Sequence, residues 1–241
     1  MTGKKPPAKP PAHAGEGGAV EAFLAAVART PALKPAARKG RLVFALDATM
    51  SRQPTWDRAA AIQADMFAAA AAIGGLAIEV VFFRGQGEFK KSPWLDDGNE
   101  LARRMAKVAC RGGLTQIARV LRHAVHEADT GGVAALVYVG DAIEEDADAL
   151  CALAGTLGMK GVKAFVFQEG DDPLARATFR EIARLSGGAY AEFAEGSAER
   201  LRALLSAAAV YAAGGWQALS ALSQTGDAAA RLLIAQMKGG D

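Results

Sequence analysis

The chain has 241 residues, of which 51% are hydrophobic and 22% charged, and its formal net charge is +2. That length and apolar content suit one globular domain with appendages and exclude a chain disordered throughout. The near-neutral balance gives no electrostatic reason to expect nucleic acid as a partner. No run approaches 18 consecutive apolar residues, so no membrane span is expected, and the lysines near the start precede no apolar stretch with a cleavage site, so no secretory signal is read. Two cysteines, Cys110 and Cys151, are too few for a disulfide framework and lack metal-ligand spacing, which makes a reducing cytoplasm the expected compartment.

Residues 1–18 carry four of the nine prolines and three lysines (Lys4, Lys5 and Lys9) and are expected to form a disordered tail. Val20, Phe23, Leu24 and Val27 share one helical face, and residues 31–40 read as a linker, so residues 19–39 are an N-terminal helix with its connection. From there short apolar runs alternate with amphipathic ones. Strands are expected over 41–47, 77–83, 133–139, 162–168 and 189–193, with a short hairpin return over 88–95. Helices are expected over 54–73, 97–110, 115–130, 146–158, 173–186 and 197–213. This alternation implies an α/β fold: a doubly wound, mainly parallel sheet with helices on both faces, occupying residues 40–213. Residues 214–241 form a C-terminal helical extension, interrupted near Gly226, whose apolar positions Trp216, Leu219, Leu222, Leu232, Leu233, Ile234 and Met237 need a surface to cover them.

In an open α/β sheet ligands bind beyond the carboxyl ends of the strands. The first strand ends in Asp47-Ala-Thr49-Met-Ser51, the strand at 133–139 is followed by Asp141, and Thr115 opens a helix behind two glycines. Two carboxylates and three hydroxyls from three segments are thereby brought to one edge. All are hard oxygen donors, a set suited to Mg²⁺, with Mn²⁺ as the alternative. The hydroxyl ligands carry no formal charge and leave part of the shell to be filled, so an anionic ligand is expected at an open position.

This pattern, with Asp47-x-Thr49-x-Ser51, then Thr115, then Asp141, resembles the metal-ion-dependent adhesion site of von Willebrand factor type A (VWA) domains. The order of elements is similar over about residues 40–212, and Phe179 to Tyr190 resembles the family's helix leading into its last strand. The resemblance implies that Thr49, Ser51 and Thr115 supply hydroxyl oxygens, that Asp47 and Asp141 act directly or through metal-bound water, and that a partner's carboxylate completes the shell. It also implies an antiparallel hairpin strand at one sheet edge. Four positions depart from the family pattern: Thr49 replaces the common serine, Met50 a glycine, Gly140 a threonine, and Leu114 lengthens the loop before Thr115.

Other charged positions have plainer readings. Glu144, Glu145 and Asp146 are expected to favour the positive end of the helix that follows them. His123 and His126, three apart with Glu127 adjacent, lack an evident third ligand and read as surface or half-buried residues. Arg103, Arg104, Lys107 and Arg111 form a basic helix face, normally a solvated one, and Arg52 reads as an exposed loop arginine or a guide for an incoming carboxylate. The leading expectation is a non-enzymatic adaptor that captures an acidic motif of a protein partner through the metal. A metal-dependent phosphoesterase or nuclease is the alternative, disfavoured by the missing acids; a metal-free structural subunit is another. Neither an activated nucleophile nor a nucleotide-binding glycine loop is present.

Overall fold

The computed structural model describes residues 40–52, 76–194 and 197–237. The expectations for the tail, for the N-terminal helix and for the helix at 54–73 lie outside the described residues. Six strands form one sheet: β1 (Gly40–Asp47), β2 (Leu76–Arg84), β3 (Glu88–Lys91), β4 (Ala135–Gly140), β5 (Lys163–Glu169) and β6 (Ala189–Phe193), in the order β3-β2-β1-β4-β5-β6. Every pairing is parallel except β2 with β3, the antiparallel hairpin at one edge. The helices are α1 (Gly98–Met105), α2 (Ile117–Gly131), α3 (Ala147–Met159), α4 (Pro173–Leu185), α5 (Ala198–Gln224) and α6 (Ala228–Met237).

The period of two along each strand divides the core between two faces. Leu42, Phe44 and Leu46 of β1, Val137 and Val139 of β4, and Phe165 and Phe167 of β5 pack with Leu101 and Met105 of α1 and with the apolar faces of α5 and α6. Val43 and Ala45, Leu136 and Tyr138, and Ala164 and Val166 point the other way, onto Val120 and Leu121 of α2, Leu150 and Leu157 of α3, and Phe179 and Ile182 of α4. Both faces are covered, which is why these strands are apolar at nearly every position.

Helix boundaries follow local bonding. α1 stops at Met105, short of the expected residue 110: the Lys107 and Val108 amides turn back to the Arg104 and Met105 carbonyls at 3.2 and 3.0 Å. The chain then runs extended beside the end of β1, where the Arg111 amide donates to the Ala48 carbonyl at 3.0 Å. The basic face largely pairs locally: Arg103 and Arg104 both bind Glu100, and Arg111 approaches Glu88 at 3.7 Å. Cys110 is buried and Cys151 is half-buried.

Gly215, at φ 65° and ψ −158°, kinks α5. Leu219, Leu222, Leu233 and Ile234 are thereby buried in the same core as Leu201 and Leu204. The Gln236 side chain then pairs with the edge strand β6. Its Oε1 accepts from the Tyr190 amide at 2.9 Å, and its Nε2 donates to the Tyr190 carbonyl at 2.7 Å. A side-chain amide thus satisfies part of the open sheet edge that would otherwise invite another strand.

Candidate metal centre

The carboxyl end of β1 is shaped by three local contacts. Asp47 is fully buried, and its Oδ1 accepts from the Thr49 amide at 2.8 Å, closing a tight turn. A short 3₁₀ turn, Met50–Arg52, follows. It brings the Ser51 hydroxyl to 3.1 Å from the Thr49 hydroxyl, so the two oxygens sit side by side. Thr49 is buried, whereas Ser51 and Met50 are exposed.

Arg52 occupies neither of its expected places. It is 1% exposed and points inward, beneath the turn. Its Nε and a terminal nitrogen lie 3.0 and 2.9 Å from Glu169 Oε2 at the end of β5, and its other terminal nitrogen donates to the Asp47 carbonyl at 3.1 Å. The arginine therefore braces the ends of β1 and β5 and does not guide an incoming anion. Breaking a buried ion pair by removing one partner typically costs about 3–5 kcal/mol.

Thr115 lies just before α2, which begins at Ile117. Its buried hydroxyl accepts from the Glu144 amide at 3.1 Å, and its own amide donates to the Glu144 carboxylate at 2.6 Å. Glu145 accepts from the amides of Ile117 and Ala118 at 2.5 and 2.9 Å. This corrects the expectation for the acidic run. Glu144 and Glu145 satisfy the segment opening the preceding helix, α2, whose cap residue Gln116 makes no side-chain capping bond; only Asp146 caps the helix that follows, accepting from Ala149 at 2.8 Å. The loop carrying Asp141 is thereby laced to the loop carrying Thr115. A second constraint acts at Gly113, where an added Cβ would lie 2.0 Å from the Gly85 carbonyl oxygen, so only glycine lets that loop approach the β2–β3 turn.

Asp141 follows β4, the strand next to β1. Its Oδ1 and the Oδ2 of Asp47 are both buried without a hydrogen-bond partner. Burial pushes the Asp47 carboxyl up to about 6, and the nearby charge of Asp141 adds to the rise, against the lowering effects of the Thr49 bonds and Arg52. Buried polar atoms without partners are uncommon and call for an explanation. Two unpartnered carboxylate oxygens at adjacent strand ends, with the Thr49 and Ser51 hydroxyls of Asp47's own turn and the Thr115 hydroxyl of one further segment, fit a hard divalent cation by donor chemistry. Asp47, Thr49, Ser51, Thr115 and Asp141 are the residues that would hold it.

Tyr138 was not foreseen. Its hydroxyl is buried without a partner, and the charges of Asp47 and Asp141, after the larger effect of burial, raise its pKa. A Cβ at Gly140 would lie 2.3 Å from the Tyr138 hydroxyl oxygen. The glycine found where the family pattern has threonine therefore makes room for a phenol from two residues earlier on the same strand face. Sequence alone held a weak signal of this, since residues two apart on a strand share a face.

No family model matches the sequence, and no curated protein matches it. Solved structures do match. An aerotolerance-related membrane protein from Bacteroides fragilis superposes with a TM-score of 0.56 at 17% identity, covering 70% of this chain and 98% of that one. The SpRpn10 VWA domain gives 0.52 at 9% identity, over 67% and 94%. The chain has the VWA fold. Proximal thread matrix protein 1 from the mussel byssus, with a zinc-occupied adhesion-site motif, gives 0.55 at 16% identity, over 71% of this chain and 45% of that one. In this sheet Asp47 ends β1, Asp141 follows the neighbouring strand β4, and Thr115 precedes α2. No described helix is long and apolar enough to cross a membrane.

Proposed function

We propose that the protein is a metal-dependent binding module, a cytoplasmic adaptor that captures a carboxylate of a protein partner through Mg²⁺ held at the carboxyl edge of the sheet. The observation that carries this reading is the pair of buried, unpartnered oxygens, Asp47 Oδ2 and Asp141 Oδ1, beside the paired Thr49 and Ser51 hydroxyls. When bound, the ion supplies a positive, partly coordinated centre. This chain's own contribution is rigidity: Arg52 fixes the turn from below, and Glu144 fixes Thr115 from the side. Exposed Ser51 and Met50 leave the site open on the side where a partner arrives.

Turnover is disfavoured by the same arrangement. Ser51 is bonded to Thr49, and the described histidines both lie on α2, where His123 is engaged by Glu79. A zinc-occupied site of this kind in the mussel protein supports divalent-ion binding on this fold. The test is partner capture by the full chain from its native cell extract with and without chelator, using Asp47→Ala and Thr115→Ala. Metal-dependent partners lost in both variants support the reading. Identical partners in every condition contradict it, and phosphoester hydrolysis abolished by Asp47→Ala replaces it with the enzyme.

A further inference from the structure

A second group of donors lies on the face of the sheet covered by α2. Glu79 sits in β2 on the same face as Val81 and Phe83, where the pattern of a doubly covered strand calls for an apolar residue, yet it is 2% exposed. Opposite it, His123 and Glu127 stand one helical turn apart on α2. His123 Nε2 is 2.5 Å from Glu79 Oε2 and 3.9 Å from Glu127 Oε1. One donor atom from each of the three residues lies within 4.8 Å of the others. Glu79 is 44 residues from His123 and on a strand, so residue spacing along the chain gives no sign of this group.

We propose that Glu79, His123 and Glu127 form a transition-metal site whose natural ion class is Zn²⁺, separate from the centre at the sheet edge. One imidazole and two carboxylates are a zinc donor set, with ligand distances of about 2.0–2.2 Å and hence donor separations of about 3.3 Å in a tetrahedron. The observed separations of 2.5 and 3.9 Å bracket that value, so small side-chain rotations suffice. Trp94 Nε1 donates to the other oxygen of Glu127 at 3.3 Å, orienting that carboxylate as an outer-shell partner does. The Phe89 and His123 rings pack edge-to-face with their centroids 6.0 Å apart, closing one side.

In the metal-free state Lys91 stands in for the cation. Its Nζ lies 3.5 Å from Glu79 Oε1 and 3.3 Å from Glu127 Oε1, and its side chain is half exposed. Zinc takes the Nε2 lone pair of neutral His123, with the ring proton on Nδ1, and the Lys91 ammonium swings to water. Two carboxylates against one divalent ion leave the group neutral, where two carboxylates against one ammonium leave it negative. A water completes four-coordination. The site clamps β2 to α2, the helix that follows Thr115.

The test uses the full chain stripped of metal and carrying Asp47→Ala, which silences the sheet-edge site, titrated with Zn²⁺ by calorimetry and with Co²⁺ by visible absorption. One equivalent is expected to bind, with the d–d bands of a low-symmetry cobalt site. His123→Gln in that background abolishes binding, and His126→Ala, on the same helix, leaves it unchanged. Lys91→Met removes the competing charge and tightens zinc by about tenfold, whereas a purely structural ion-pair network predicts only lost stability. Absence of zinc binding in the Asp47→Ala background overturns the inference, as does an affinity unchanged or weakened by Lys91→Met. Zinc lost with Asp47→Ala but retained with His123→Gln places the ion at the sheet edge, which overturns this site while leaving the proposed function standing.

Discussion

Replacing Asp47 with asparagine separates the cost of an ionised, buried carboxylate from its use. Asparagine keeps the oxygen that accepts from the Thr49 amide and removes the charge. In the metal-free protein the Asp47 carboxyl is raised from 3.8 to about 6. A tenfold change in proton affinity corresponds to about 1.4 kcal/mol, so ionising this group in the fold costs about 3 kcal/mol. The sign follows from linkage: a carboxyl raised in the folded state contributes stability below its unfolded pKa and loses it as pH climbs through the folded value. The wild-type protein in chelator therefore loses about 2–3 kcal/mol relative to Asp47→Asn between about pH 4 and about pH 8. Asparagine's own buried amide carries a penalty, but a pH-independent one, which cancels in that comparison. Urea unfolding of both proteins across that range is the assay. Mg²⁺ at a hundred times its dissociation constant should then restore about 2.7 kcal/mol to the wild type alone. Parallel pH profiles for the two proteins would refute the buried-charge reasoning, and equal stabilisation of both by Mg²⁺ would move the ion elsewhere.

Arg52→Met should lower unfolding stability by about 3–5 kcal/mol, because it leaves Glu169 buried without its partner; urea melts should show Arg52→Met/Glu169→Gln recovering part of that loss. Gly140→Ala pushes a methyl group against the Tyr138 ring and should cost about 1–3 kcal/mol, measured the same way. Glu145→Ala removes the acceptor for two amides at the start of α2 and should cost about 0.5–2 kcal/mol while also weakening Mg²⁺ binding through Thr115, a pairing of effects that calorimetry and thermal melts detect together. Truncation after Ala213 uncovers the core beneath Leu219, Leu222, Leu233 and Ile234 and frees the β6 edge from Gln236, so light scattering should report aggregation.

Much of the sheet was legible because strands covered on both faces are written as apolar runs, and each run here ends near a glycine or an acid. The hairpin at the β3 edge was readable from the Gly85-Gln-Gly87 turn, and the C-terminal break from the Gly214-Gly215 pair. What escaped the sequence depends on contacts far apart along the chain. Nothing near Arg52 announces Glu169, so a buried brace read as an exposed loop residue. Glu144 and Glu145 precede one helix, yet their carboxylates turn to Thr115 and to the first turn of α2, nearly thirty residues upstream. Glu79 is a single acid in an apolar strand, and only the packing of α2 against β2 gives it His123 as a partner.

The proposed function depends on a divalent ion at the end of β1. Calorimetric titration of Mg²⁺ into the metal-stripped full chain tests that most directly, with Asp47→Ala and Thr115→Ala titrated alongside. One Mg²⁺ per chain, bound more tightly as pH rises through about 6 and lost in both variants, is the predicted result. No heat of binding at millimolar Mg²⁺, or binding that survives both substitutions, would contradict it.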